Sequence, residues 1–131
     1  MFLTREADYG IRTVRALASG EKMNIAAICE KEEVPRQFAY KILKKLTHAG
    51  FVSIERGVNG GYTLTASAAQ LTLYDIVSVI DEELFINKCL EPGYSCERNS
   101  ENGSCKVHKE LVRIQNIMVQ ELKRTPLSEL V

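Results

Sequence analysis

No apolar run in this 131-residue chain approaches the length needed to cross a bilayer, and its opening residues, MFLTREAD, carry charges where a secretory leader needs an apolar centre. The expectation is a cytoplasmic protein with no membrane partner. Net charge is also lacking: 17 Lys and Arg offset 17 Asp and Glu, so attraction to a polyanion has to be local. Nucleophile–base constellations and phosphate-binding loops are missing as well; the glycine-rich stretch at 57–61, GVNGG, matches neither the Walker nor the dinucleotide fingerprint. The chain therefore does not read as an enzyme. It is long enough for one domain, or a small domain with an appendage, and 45% hydrophobic with 26% charged residues suits a globular fold.

What it does have is a concentration of soft donors. Three of the four cysteines, Cys89, Cys96 and Cys105, lie in a polar loop, and His108 follows the last of them as Cys-Lys-Val-His. A flexible segment can fold such sulfurs around a zinc ion or an iron-sulfur cluster without breaking a helix or strand. Six residues separate the first pair and eight the second, gaps looser than a zinc knuckle's, so spacing alone does not name the metal. Glu91, Glu97 and Glu101 stand among the thiols; their negative charge disfavours free thiolates, and a metal centre supplies the missing positive charge.

Charge is unevenly distributed. From Pro35 to Arg56 there are five basic residues (Arg36, Lys41, Lys44, Lys45, Arg56) and one acid, Glu55, whereas from Asp75 to Glu101 there are seven acids and two bases. One end can face a polyanion and the other cannot.

In chain order, Thr4 is the expected cap of a first helix whose stripe is Ala7, Ile11, Val14 and Ala18, ended by Gly20. Asp8 lies on its flank in line with Arg12, an i,i+4 ion pair in the plain reading. Asn24 caps a second helix with Ile25, Ile28 and Cys29 inward, and this Cys29 reads as a buried small hydrophobe. Pro35 takes the first position of a third helix that buries Ala39, Ile42, Leu43, Leu46 and Ala49 and turns Gln37, Tyr40, Lys41, Lys44 and His48 outward. That is helix-turn-helix spacing. Alternating segments Phe51 to Arg56 and Tyr62 to Thr65, joined at 57–61, make a hairpin wing whose glycines let backbone approach a phosphate chain, with Arg56 at its base. Thr72 and Asp75 form a capping box before a helix with Leu73, Ile76, Val77 and Ile80 inward. A last helix spans 106–124, stopped by Pro126, with Val107, Leu111, Ile114, Met118 and Leu122 on one stripe and Val112, Ile117 and Val119 widening it. So much apolar surface suits a helix that pairs with its copy in a homodimer, setting two recognition helices about 34 Å apart on a pseudo-palindromic site; the rival reading is a helix folded back on its own domain.

The fold class is therefore mainly α with a small β-hairpin wing: a winged helix-turn-helix domain over 1–70, then over 71–131 a linker helix, the cysteine loop (89–105) and the dimerisation helix.

Leu3-Thr4 with Asp8-Tyr9-Gly10, the segment from Lys41 to Val52, Arg56-Gly57 followed by Gly60-Gly61-Tyr62, and the cysteine loop before a long helix together resemble the IscR/NsrR-type winged-helix transcriptional regulators. That bacterial family includes the iron-sulfur cluster regulator and the nitric-oxide-sensitive repressor. The resemblance covers essentially the whole chain. It implies a homodimer on double-stranded DNA whose affinity follows an iron-sulfur cluster (2Fe-2S or 4Fe-4S), in redox or nitric oxide sensing. It also implies groove contacts from Arg36, Gln37, Tyr40 and Lys41, phosphate contacts from Lys44 and Lys45, and wing contacts from Arg56, Gly57, Asn59 and Gly60. For the cluster it implies Cys89, Cys96 and Cys105, with His108 or Asp8 as fourth ligand; His108 is favoured slightly because it lies on the same loop as Cys105. The alternative is a winged-helix regulator with structural zinc or a thiol redox switch.

Overall fold

A computed structural model describes residues 3–99 and 105–131. The first helix, α1 (Arg5–Ala16), starts where Thr4 turns extended and its side chain accepts the Ala7 N–H at 3.0 Å. Its helical hydrogen bonding stops at Ala16, a turn before Gly20: the Leu17 and Ala18 N–H groups donate to the Val14 and Arg15 carbonyls three residues back, and Leu17 is wholly buried. The stripe is wider than expected: Tyr9, Gly10, Thr13 and Ala16 are buried beside Ala7 and Val14, since α1 is packed against three other helices. Gly10 is required by one of them. A Cβ there would stand 2.7 Å from Cγ1 of Ile80, inside any tolerable contact.

Helix α2 (Ile25–Glu32) is capped by Asn24, whose side chain accepts the Ala27 N–H at 2.8 Å. Ile28 is buried; Ile25 and Cys29 pack half-buried against the core. Glu33, left-handed at φ 53°, turns the chain into α3 (Arg36–His48). Pro35 is the cap residue, one position earlier than read from sequence, because its ψ of 136° is extended. Ala39, Ile42, Leu43 and Leu46 form the buried stripe. Ala49 does not join it: it is the exposed C-cap, past the last turn facing the core.

Strands β1 (Val52–Glu55) and β2 (Gly61–Leu64) pair antiparallel, with Val52 opposite Leu64 and Ile54 opposite Tyr62. Met23 adds a bridge to Tyr62, N–H to O at 2.9 Å and back at 2.8 Å. That bridge needs glycine at 61, where a Cβ would meet the Met23 carbonyl at 2.8 Å.

The capping box of α4 (Leu73–Ile80) is formed: Asp75 accepts the Thr72 N–H at 2.8 Å and Thr72 accepts the Asp75 N–H. Ile76, Val77 and Ile80 enter the same core as α1 to α3. The loop beyond holds two short 3-10 turns, Lys88–Leu90 and Glu97–Asn99, before α5 (Lys106–Leu122). After Pro126 the chain returns to the body, where the Leu127 N–H donates to the Leu71 carbonyl at 2.7 Å and its side chain is buried. The result is a mainly helical winged-helix fold with a two-stranded hairpin and a long C-terminal helix.

Candidate nucleic-acid interface and cysteine loop

The buried stripe of α3 fixes what its other side presents. Arg36, Gln37, Tyr40, Lys41, Lys44 and His48 are all exposed, Tyr40 at 55%. Beside this face the hairpin closes an open groove of about 780 Å³, to which Tyr40, Lys44 and His48 contribute from α3 and Ile54, Arg56 and Tyr62 from the hairpin. Gly57 takes φ 112°, and a Cβ on Gly60 would stand 2.1 Å from the Glu55 carbonyl oxygen, so the tight tip itself demands both glycines. Asn59 is exposed between them.

The cations are not equivalent. Lys41 Nζ lies 3.0 Å from one oxygen of Glu6 and Lys45 Nζ 2.9 Å from the other. Burial opposes ionisation of Glu6, but hydrogen bonds from Lys45 and Lys41 outweigh it and hold the carboxyl below the usual glutamate range. Lys45 also donates to the Ile80 carbonyl at 2.8 Å and is only 31% exposed in its side chain. Glu55, the acid nearest Arg56, is taken by Lys22 at 3.0 Å. Of the basic residues on α3 and the hairpin, Arg36, Lys44 and Arg56 have no carboxylate partner among the described residues and are free to meet an outside anion. Sequence reading grouped Lys45 with Lys44 and passed over Glu6, which is 39 residues away and carries no local signal.

In the cysteine loop Cys89 sits in the first 3-10 turn, held near α5 where the Ile86 N–H donates to Gln115 Oε1 at 3.0 Å. Cys96 precedes the second turn and its carbonyl accepts the Asn99 N–H. Cys105 caps α5: its Sγ accepts the His108 N–H at 3.4 Å, and its own N–H donates to Asn99 Oδ1. All three are free, half-buried thiols, as is Cys29. His108 Nδ1 is buried without a hydrogen-bond partner among the described residues. Cys105 and His108 are thus brought together, whereas no group of three His, Cys, Asp or Glu side chains poised for a metal is present among the described residues. Glu101, with the rest of 100–104, lies outside them. Asp8 is engaged elsewhere, 3.2 Å from Arg12 in the expected i,i+4 pair.

Helix α5 contributes no buried residue. Val107 is 68% exposed; Val112, Ile114 and Ile117 are also exposed, and Leu111, Met118 and Leu122 half-buried. Lys123 Nζ stands 4.2 Å over the Tyr74 ring, which with the Leu127 anchor ties the far end of α5 to α4. No helix among the described residues is long and apolar enough to cross a membrane.

Comparison with known proteins agrees with this arrangement. The Rrf2 family model, described as an iron-dependent transcriptional regulator, matches residues 3–131. Protein aau3 of Rhizobium meliloti (strain 1021) is 38% identical over 95 residues, 71% of this chain and 62% of that protein, so the chain spans less than two thirds of this relative's length. Solved structures share the fold, two of them regulators. CymR, the global cysteine regulator of B. subtilis, superposes at TM-score 0.76 with 21% identity over 99% of this chain and 95% of that one. IscR of T. potens superposes at 0.72 with 19% identity over 99% and 85%.

Proposed function

The chain belongs to the Rrf2 family of transcriptional regulators, not of enzymes, and we propose from that premise that it is a homodimeric DNA-binding regulator whose cysteine loop carries an iron-sulfur cluster. The observation that carries the DNA reading is the exposed face of α3 beside the hairpin, where Lys44 and Arg56 line one groove without a carboxylate partner among the described residues and Arg36 is exposed at the start of the same helix. Residues 1–70 are read as the DNA-binding unit and 71–131 as the linker helix, loop and pairing helix. Gln37, Tyr40 and Lys41 are the groove-facing candidates; Gly57 and Asn59 bring the wing backbone toward phosphates, and Gly60, whose N–H is held by the Gly57 carbonyl at 3.1 Å, shapes the tip that makes this approach possible.

Cys89, Cys96, Cys105 and His108 are the proposed cluster ligands. Soft thiolates suit iron, and the buried, unpartnered Nδ1 of His108, a residue whose main-chain N–H already meets Cys105 Sγ, fits a nitrogen donor. Asp8 is the weaker candidate, because its carboxylate is already paired with Arg12. When bound, such a cluster supplies an oxidant- or nitric-oxide-sensitive centre. The chain's own part is mechanical: Gln115 holds the approach to Cys89 on α5, and Lys45 joins α3 to the end of α4, from which the loop departs. DNA-competent and incompetent arrangements must differ in how well they hold the loop for affinity to respond. The exposed apolar face of α5 supports pairing with a second copy.

The test is an absorption spectrum with iron and sulfide analysis on protein purified without oxygen, together with Asp8→Ala and His108→Ala. Brown protein with iron and sulfide is expected, with the spectrum altered in His108→Ala and intact in Asp8→Ala. Colourless protein after attempted reconstitution, holding zinc or reversibly oxidised thiols, would replace the cluster with the structural-zinc or thiol-switch reading. Four free, half-buried thiols are what that reading draws on.

A further inference from the structure

We propose that the groove between α3 and the hairpin seats one sugar–phosphate strand of duplex DNA, with Ile54 and Tyr62 packing on deoxyribose while Lys44, His48 and Arg56 meet the phosphates. The inference rests on the DNA-binding reading above and adds an apolar contact that the basic residues do not predict.

Strand alternation places Val52 and Ile54 on one face of β1, and the pairing sets Leu64 and Tyr62 on the same face of β2. At the base of the hairpin this face is core: Val52 and Leu64 are buried. Farther out it passes the edge of the core, and Ile54, opposite Tyr62, is 41% exposed and lines the groove. Its partly exposed apolar surface is thus available to an outside group. The other face of β1 carries the polar pair Ser53 and Glu55, so the apolar character belongs to the groove side.

The rim adds charge. Glu6 holds Lys41 and Lys45, which leaves Lys44, His48 and Arg56 as the groove's basic side chains without a carboxylate partner among the described residues. An apolar ligand would not need these donors, and a bare polyphosphate would not use Ile54. A DNA strand alternates apolar sugar faces with phosphates and uses both. Ribose fits less well, because its 2′-hydroxyl would lose water against Ile54.

The experiment uses a labelled DNA duplex enriched from a random pool by the wild-type protein, with affinity measured across a salt series. Ile54→Ala, Ile54→Val and Lys44→Ala are compared with wild type after thermal unfolding shows that each is folded. Ile54→Ala is expected to weaken binding about fivefold to tenfold at every salt concentration, its line parallel to wild type. Ile54→Val should lie near wild type, and Lys44→Ala should flatten the salt slope. Wild-type affinity in Ile54→Ala, or a flattened slope in that variant, would overturn the sugar contact while leaving DNA binding intact. Equal binding of duplex RNA of the same sequence, with the same weakening on Ile54→Ala, would overturn the deoxyribose assignment. A wild-type protein that enriches no DNA would remove the underlying reading and this inference with it.

Discussion

Lys45 Nζ lies 2.8 Å from the carbonyl oxygen of Ile80, the last residue of α4. Helix C-terminal carbonyls lack intrahelical donors, and a cation is a favourable partner for them. Through Glu6 the same ammonium also reaches the first turn of α1. One side chain therefore joins α3 to the helix leading into the cysteine loop.

Lys45 and Lys44 should separate on this basis. Lys45→Met is expected to cost about 1 kcal/mol of stability, a value reduced by partial exposure, with little change in the salt slope of DNA binding. Lys44→Ala should leave stability unchanged and lower the salt slope by about 0.9 for each phosphate that the lysine neutralises in the wild type. Urea unfolding and salt-titrated binding of the two variants check this; identical behaviour would remove the distinction.

Glu6 makes a pH-dependent contribution with a defined sign. Its folded carboxyl ionises below the usual range, so the stabilisation is fully present above that range and is lost as pH falls through the folded value. Glu6→Gln should be less stable than wild type at neutral pH, and the gap should close as pH falls below about 4.5, the ordinary glutamate value. Urea midpoints of the two proteins across an acid series test it. A gap independent of pH would mean that the side chain acts by packing and not by charge.

The apolar face of α5 predicts assembly. Ile117 is exposed in the single chain, so Ile117→Glu should leave the protomer folded while burying a charge in any pairing of α5 with its copy. Sedimentation is expected to give a dimer for wild type and a monomer for the variant at equal concentration. A variant that remains dimeric would place the pairing surface elsewhere.

Local chemistry was legible directly from the residue order. Thr4, Asn24 and the Thr72–Asp75 pair cap helices as expected, because a cap is decided within three or four residues. The outward basic face of α3 and the hairpin after it followed from period alone, as did the Asp8–Arg12 pair. What crossed the chain was not legible. That Lys45 is held by Glu6 and Ile80 while Lys44 is free depends on which neighbours three packed helices bring to adjacent positions of α3, and adjacent lysines look alike in sequence. The burial of Leu127 against Leu71, the demand for glycine at position 10 against Ile80, and the passage of Ile54 from core face to groove are likewise set by where separate elements meet. Residue order determined the helices and their caps, because those rest on interactions a few residues apart. The tertiary structure decided which charges are neutralised and which apolar side chains face outward, because those depend on distances between residues that only the packed fold brings together.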